Sequence, residues 1–207
     1  MNSRTFGAGV ALSLLPALFS TADAAYVVTF EQVGSDVVVT GGGSINLNEL
    51  LGVEGGTERA GINPSLGEIT GPASLTAVDE YVYPPGFGGP PSFGPGLGAF
   101  SADSGSGGIV GIGKVGLSTF DLIIVPDLYV SGNPLSDTST YLDKTFASLG
   151  VTPGTYVYSW GTGADVDTFT VQIGVPEPST WAMLLIGVGG LGYSAYRRRA
   201  GVVVKAV

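Results

Sequence analysis

An uncharged and mostly apolar run near the C-terminus, residues 180–196, constrains the fold of this chain more than any other feature. As an α-helix, its seventeen residues would reach about 26 Å, close to the roughly 30 Å of a bilayer core and within the usual range of a spanning helix. Three arginines follow at once, Arg197, Arg198 and Arg199. Because short flanks rich in Lys and Arg stay on the cytoplasmic side, the pattern predicts a C-terminal transmembrane helix that is stopped by the arginine cluster.

A Pro-Glu-Pro tripeptide stands just before this run, formed by Pro176, Glu177 and Pro178. Proline fixes φ, lacks a backbone N–H donor and restricts the residue before it, which disfavours a regular helix or an inner strand. We therefore expect an extended backbone at the tripeptide, open to a partner protein.

The order of tripeptide, apolar run and basic cluster closely resembles the PEP-CTERM sorting signal of Gram-negative bacterial surface proteins, which here would cover residues 175–199. The resemblance implies that the tripeptide is a substrate site for an exosortase, a membrane-embedded cysteine transpeptidase that removes the anchor. The tail 200–207 continues past the point where such signals usually end. The alternative is an ordinary C-terminal membrane anchor preceded by a Pro-containing linker.

Residues 1–24 have the pattern of a secretory signal peptide. A basic start precedes the apolar core 10–19, and Ala22 and Ala24 supply the small-residue cleavage site, so we expect signal peptidase to cut after Ala24. A retained N-terminal anchor is the alternative, which the shortness of the apolar core disfavours. The Sec export machinery, signal peptidase and the inner membrane are thus expected partners. Residues 25–174 would lie in the periplasm before they reach the cell surface or the exterior.

The chain has no cysteine and no histidine. Disulfides, thiolate metal sites and every Ser-His-Asp or Cys-His arrangement are therefore excluded. A glycosidase would need only two carboxylates, but nothing marks out one pair among the fifteen of residues 25–174. We accordingly predict no enzymatic activity, no catalytic residue, no cofactor and no metal site.

The body of the chain is strongly acidic. Between residues 25 and 174, three basic side chains, Arg59, Lys114 and Lys144, stand against fifteen carboxylates, which gives a net charge of about −12. Such a surface repels nucleic acid and anionic headgroups. Nucleic acid is therefore excluded as a partner.

Glycine supplies 35 of the 207 residues, while charged residues make up only 12%, and this composition suits short strands joined by tight turns. Strand signals recur along the body as apolar alternation in residues 25–39, an apolar run at 120–125 and a hairpin over 152–174. We therefore predict an all-β fold, with an antiparallel, jelly-roll-like β-sandwich over residues 25–174. It would lie between an N-terminal signal helix and the C-terminal transmembrane helix.

Three segments of the body carry weaker strand signals. The glycines 41–43 are predicted to form a hairpin turn or a bulge. Residues 52–75 are predicted to form an irregular crossover with short strand pieces near Ile69 and Leu75, and residues 136–140 a polar loop.

A long loop is predicted over residues 84–98, because this segment is rich in glycine and its prolines cannot donate to a strand ladder. Phe87 and Phe93 lie within it. The favoured interpretation is that they pin the loop to the sandwich. The alternative is that exposed aromatic rings stack on sugars.

These features predict an exported cell-envelope or extracellular-matrix protein with a structural role in the surface or exopolysaccharide matrix. The alternative is a carbohydrate- or calcium-binding surface module. Calcium prefers clustered carboxylate and carbonyl oxygens in irregular loops, and Asp165 and Asp167 alternate at a loop-to-strand junction. Solvated turn residues are the commoner role for such carboxylates, and we expect it here.

Overall fold

The computed structural model describes residues 25–72, 75–114, 121–174 and 186–188. The predicted signal peptide, the sorting tripeptide, the arginine cluster and the tail 200–207 lie outside these residues, as does most of the predicted transmembrane helix. Within the described ranges, regular structure is almost entirely strand. The predicted all-β fold is confirmed.

Two sheets account for the strands of the described residues. The strands are β1 (Ala25–Val33), β2 (Asp36–Gly43), β3 (Leu51–Glu58), β4 (Gly61–Asn63), β5 (Glu68–Gly71), β6 (Thr76–Val82), β7 (Phe100–Ser101), β8 (Ser104–Gly107), β9 (Val110–Lys114), β10 (Asp121–Pro126), β11 (Leu135–Tyr141), β12 (Gly154–Trp160) and β13 (Asp167–Ile173). The six-stranded sheet has the order β12-β13-β1-β2-β11-β8, and the seven-stranded sheet has the order β3-β6-β10-β9-β5-β4-β7. A short α-helix of one turn, α1 (Phe146–Leu149), precedes β12.

The core lies between the two sheets, because each sheet turns one apolar face towards the other. Phe30 and Phe169 come from the six-stranded sheet, Ile112 and Ile123 from the seven-stranded sheet, and all four are fully buried in one cluster. Side chains of a strand alternate between its two faces, so the neighbours of these residues point away from the core. The shared cluster makes the body a β-sandwich.

The ladder between β1 and β13 is parallel, with Tyr26 opposite Phe169 and Phe30 opposite Ile173. The predicted antiparallel pairing is wrong at this pair, although the other ladders among the described strands are antiparallel. Periodicity within a segment cannot reveal the pair, since its two strands stand at opposite ends of the body. The described strands also outnumber the eight of a jelly roll, so a sandwich is the description that holds.

The apolar run at 120–125 contains a central strand, as predicted, because β10 lies between β6 and β9. Residues 122–125 are all buried. Ile123 and Val125 face the core between the sheets. The opposite face of β10 contributes to a smaller apolar cluster, here called the outer cluster, which consists of Val78, Ile109, Leu122 and Ile124.

The glycines 41–43 are not a turn but the last residues of β2. They pair with β1 on one side and with β11 on the other. The ring of Tyr26 occupies the space above Gly41, where an added Cβ would lie 2.9 Å from Tyr26 Cε1. A neighbouring side chain therefore fills the place of the missing one, which allows glycine inside a ladder.

The predicted polar loop 136–140 lies within strand β11, and residues 52–58 of the predicted crossover belong to β3. β11 turns Asp137, Ser139 and Tyr141 inward. Because these inward positions are largely polar, the apolar alternation that marks a half-buried strand is missing. Among the described strands, β3 lies at an edge of its sheet and pairs with β6 alone, with a register shift in the middle, so it also lacks a clear period.

The loop over residues 84–98 is pinned by its two phenylalanines, as favoured. Phe93 is fully buried, and its ring centroid lies 6.5 Å from that of Phe30. Phe87 packs edge-on against Trp160, with the ring centroids 5.5 Å apart. The predicted hairpin that follows is confirmed as β12 and β13.

Candidate functional site

The predicted sorting segment begins where strand β13 ends. Ile173, the last residue of β13, is fully buried, and Gly174 follows with a φ of 58°, in the left-handed region that favours glycine. The Gly174 N–H donates a hydrogen bond to the Phe30 carbonyl oxygen over 3.1 Å. The Phe146 ring lies directly beside Gly174. The folded body therefore continues to residue 174, without a flexible linker before the segment.

The predicted processing residues lie outside the described residues, and their roles stay predictions. They are Pro176, Glu177 and Pro178 of the tripeptide, Arg197, Arg198 and Arg199 of the basic cluster, and Ala22 and Ala24 of the signal-peptide cleavage site. Within the predicted transmembrane run, residues 186–188 are described and helical, with Ile186 and Val188 exposed. No helix in the described ranges has the combination of length and apolar character needed to cross a membrane.

Asp165 and Asp167 lie close together at one end of the sandwich, and amide donors occupy both oxygens of Asp167 and one oxygen of Asp165. Asp167 is buried, and its Oδ2 accepts a hydrogen bond from the Asn46 N–H over 2.7 Å, while its Oδ1 accepts one from the Thr168 N–H over 2.6 Å. Asp165 Oδ1 accepts a hydrogen bond from the Asn48 side-chain amide over 2.7 Å. The expectation of a solvated turn residue is therefore wrong for Asp167.

The contacts of these two aspartates are structural. They tie the segment after β2 to the β12–β13 turn, and the Trp160 indole N–H adds a hydrogen bond to the Asn46 carbonyl oxygen over 3.1 Å. Across the part of the chain that the structure describes, no group of three or more Asp or Glu side chains is arranged to hold a metal ion. The alternation of Asp165 and Asp167 in sequence thus reflects a turn that is fastened by hydrogen bonds.

A groove of about 320 Å³ lies on the outer face of the seven-stranded sheet. We call it the outer groove. Its lining includes Gly113 of β9 together with Leu122 and Ile124 of β10, the last two belonging to the outer cluster. A Cβ at Gly113 would lie 3.3 Å from Ile124 Cδ1, so this glycine shares their face and leaves a depression between longer side chains.

Polar side chains from four strands line the outer groove. They are Glu58 of β3, Asn63 of β4, Glu68 and Thr70 of β5, and Glu80 of β6. Ile69 is buried in the core between the sheets, so its neighbours Glu68 and Thr70 must point to the outer face. No pattern in the sequence reveals this site, because its members come from separate strands and only the register of the sheet places them on one face.

The carboxylates of the outer groove are shielded and repel one another. Burial raises the pKa of Glu68, while the charge of Lys114 and hydrogen bonds from the Asn63 side chain and the Lys114 backbone lower it. Burial also raises the pKa of Glu80, and repulsion by the Glu58 carboxylate adds to this rise. Both shifts reflect the free energy needed to hold negative charge in this groove.

Negative charge exceeds positive charge at the outer groove. Two cationic side chains line it, Arg59 and Lys114, and Lys114 forms an ion pair with Asp121. Arg59 has no ion pair among the described side chains, and the charge of Lys114, although paired with Asp121, also acts on Glu68, so three glutamates of the lining stand against two cations. The groove can therefore accept hydrogen bonds and attract a positively charged group.

A second polar cluster is buried between the two sheets. The Tyr26 hydroxyl donates a hydrogen bond to the Asp137 carboxylate, and both residues are buried. Burial raises the pKa of Asp137 to about 6, against the lowering effect of the Tyr26 hydrogen bond. Burial, followed by the charge of Asp137, raises the pKa of Tyr26. The cavity beside this cluster is too small for a water molecule, so the cluster affects stability and not ligand binding.

Comparison with known proteins adds an identification at the C-terminus. The family model of the PEP-CTERM protein-sorting motif matches residues 174–199. No curated protein and no solved structure matches the chain. The match starts at Gly174, directly after the last residue of β13, and it includes the predicted tripeptide and arginine cluster. The C-terminal segment is therefore a PEP-CTERM sorting motif, and the chain is an exported protein that an exosortase sorts.

Proposed function

We propose that this protein is a structural component of the cell surface or of an exopolysaccharide matrix, delivered there through its sorting motif. The observation that carries the proposal is the position of the motif, which matches residues 174–199 and follows the last residue of β13 directly. An exosortase that cuts within the motif would release the sandwich as one intact folded unit. A stable acidic sandwich that leaves its anchor suits a surface or matrix component.

The inner membrane holds the chain only transiently in this proposal. Residues 180–196 span the bilayer, with the arginine cluster on the cytoplasmic side and the sandwich in the periplasm. The Sec machinery exports the chain and signal peptidase cuts it after Ala24, before the exosortase acts at the tripeptide. The described strands run from Ala25, the first residue of β1, to Ile173, the last residue of β13, and this agrees with cuts that leave the sandwich whole.

The sandwich performs this role without catalysing a reaction. Asp137 is enclosed in the core, and Asp165 and Asp167 are held by amide donors, so none of them is placed to act on a substrate. A screen of the purified protein against glycoside, ester and peptide substrates tests the point. Robust turnover that disappears with Glu80→Gln in the outer groove would overturn it.

A carbohydrate-binding module is the second candidate function, and the outer groove is the observation that favours it. Its volume is at the lower end of small-ligand sites, and polar acceptors surround an apolar floor. Calcium binding has less support, because both oxygens of Asp167 and the Oδ1 of Asp165 already accept amide hydrogen bonds. Reproducible binding on a glycan array would favour the module, and its absence would favour a purely structural role.

The main proposal is tested by the C-terminus of the mature protein. Mass spectrometry of protein from the native host should find a chain that ends within residues 175–199 and lacks Arg197 to Arg199, outside the membrane fraction. The substitutions Pro176→Ala, Glu177→Ala and Pro178→Ala together should leave the C-terminus intact and the protein in the membrane. Glu31→Ala, an exposed change on β1, is the control. A cytosolic wild-type chain with both ends intact would refute the proposal.

A further inference from the structure

The outer groove has the charge of a site for an organic cation. Three glutamates line it, and of its two cations Lys114 is paired with Asp121, while Arg59 has no ion pair among the described side chains. Glu80 has no hydrogen-bond or ion-pair partner among the described side chains, and Glu58 repels it. A positively charged group placed between Glu58 and Glu80 would relieve this repulsion.

The carboxylates of the outer groove are not arranged to bind a metal ion. Calcium takes six to eight oxygen ligands at about 2.3–2.6 Å, and that requires carboxylates which converge on one point. In the described part of the chain, no three carboxylates converge in this way, those of the groove included. A group that spreads its charge over hydrogen-bond donors, such as an ammonium group, can bridge carboxylates that lie further apart.

The rest of the lining suits a hydroxylated ring. Leu122 and Ile124 provide an apolar wall, and Gly113 leaves open space beside them. The Thr70 hydroxyl donates to the Arg59 carbonyl oxygen over 2.7 Å, so its oxygen is left as an acceptor. The Asn63 amide has two N–H groups, and its hydrogen bond to Glu68 uses one of them. A sugar ring presents C–H groups on its faces and hydroxyls around its edge, so it can contact the wall and these polar groups at the same time.

We propose that the outer groove binds an amino-sugar unit, with its primary ammonium group held by Glu58 and Glu80 and its ring lying against Leu122 and Ile124. The inference rests on the proposed surface or matrix function, because it names a ligand that an exported matrix protein would meet. It goes beyond that function by assigning a site and a charge to the ligand. Neutral sugars of the same shape would bind more weakly, since they leave the two carboxylates unpaired.

Calorimetric titration of the full chain, purified in a non-ionic detergent without a sugar headgroup, tests the proposal. The probes are a trimer of glucosamine, its fully N-acetylated counterpart and spermidine, at a mildly acidic pH that keeps the amines charged. Saturable binding of the glucosamine trimer is expected. The acetylated trimer should bind at least about tenfold more weakly, because acetylation of the bound amine removes its charge and its charge-assisted hydrogen bonds to Glu58 and Glu80. Spermidine should also bind at least about tenfold more weakly, because it has no ring to contact the apolar wall.

Three variants locate the site. Glu80→Gln and Glu58→Gln should each weaken binding of the glucosamine trimer by about tenfold, through loss of one charged acceptor. Gly113→Val places a branched side chain in the groove, where its nearest neighbours are the flexible ends of Ile124 and Leu122, and it should block binding without removing charge. Glu31→Gln makes the same chemical change on the other sheet and should leave binding unchanged.

Each other outcome overturns the inference. Equal binding of the acetylated trimer would remove the role of the ammonium group, and equal binding of spermidine would show that charge alone is recognised. An equal loss in Glu31→Gln would mean that general acidity, not the groove, attracts the ligand. Sorting is measured separately from the mature C-terminus, so a correctly processed chain that ignores the glucosamine trimer refutes this site and leaves the proposed function standing.

Discussion

The Tyr26 hydroxyl donates a hydrogen bond to the Asp137 carboxylate on the inner face of the six-stranded sheet, although the two residues are 111 positions apart in the chain. Strand β2 lies between their strands, and Asp137 stands opposite Gly41 in the ladder of β11 with β2. The Tyr26 ring passes over Gly41 to reach the carboxylate. One glycine in a central strand thus makes room for a buried carboxyl–hydroxyl pair.

Asp137 should make the stability of the sandwich depend on pH. The pKa of Asp137 is about 6 in the folded chain, against the ordinary value of 3.8 that applies to the unfolded chain. Between these two pH values, the folded chain therefore holds a proton that the unfolded chain has lost. The free energy of unfolding should therefore fall as the pH rises from about 4 to about 6, by about 3 kcal/mol. Urea unfolding at a series of pH values measures this fall.

The variant Asp137→Asn isolates this contribution. Its amide oxygen can still accept the Tyr26 hydrogen bond, but it carries no titrating proton, so the fall between about pH 4 and 6 should shrink by most of that amount. Asp127→Asn changes an exposed carboxylate and should keep the wild-type profile. The same pH profile in Asp137→Asn and the wild type would contradict the role of Asp137.

Gly41→Ala should destabilise the sandwich, whereas Gly42→Ala should not. An alanine Cβ at position 41 would overlap Tyr26 and the Asp137 carboxylate, and we expect a loss of about 3 kcal/mol from overpacking and the broken hydrogen bond. No atom lies within 4 Å of a Cβ at position 42, so that change should stay within about 0.5 kcal/mol. Thermal unfolding of the two variants provides the test, and equal losses would contradict it.

Phe93→Ala should release the loop over residues 84–98. The side chain is fully buried, with Phe30 and Tyr156 as ring neighbours, and removing it should lower the free energy of unfolding by about 3–5 kcal/mol. Limited proteolysis should then cut within the loop. Leu97→Ala, at a side chain that is 87% exposed, is the matched control. Unchanged protease resistance in Phe93→Ala would show that other contacts hold the loop.

Asp167 should prove to be a structural residue and not a calcium ligand. Asp167→Ala removes the acceptors for the Asn46 and Thr168 N–H groups, and we expect a loss of about 2–4 kcal/mol. Asp127→Ala, at an exposed carboxylate, should change the stability by less than about 0.5 kcal/mol. Millimolar calcium should leave the Tm of the wild type unchanged, and a rise of several degrees would contradict this assignment.

The local sequence pattern was sufficient to predict a strand where the segment has one apolar face. The alternation in β1 and β2, the apolar residues of β10 and the hairpin of β12 and β13 all follow from side-chain period. The pattern did not predict a strand where the inward-facing side chains are polar or where glycine provides none. Asp137 and Ser139 concealed β11, and the glycines 41–43 concealed the end of β2.

Of the two candidate sites, one could be recognised from the sequence and the other could not. The PEP-CTERM motif is contiguous, so its tripeptide, apolar run and arginines could be recognised from residue order alone, and the family match at 174–199 agrees. The outer groove could not be recognised, because Glu58, Glu68 and Glu80 belong to three strands. Strand register decides that these three side chains share a face.

Residue order alone therefore determined the export and sorting of this protein, together with its strand-rich body, since these depend on hydropathy, charge and turn residues that act over short stretches. The tertiary structure decided the parallel pairing of β1 with β13, the burial of Asp137 beside Tyr26 and the assembly of the outer groove. The physical reason is that each of these depends on contacts between distant segments. Such contacts form only when two sheets close on a common core, and they leave no period in any one stretch of the chain.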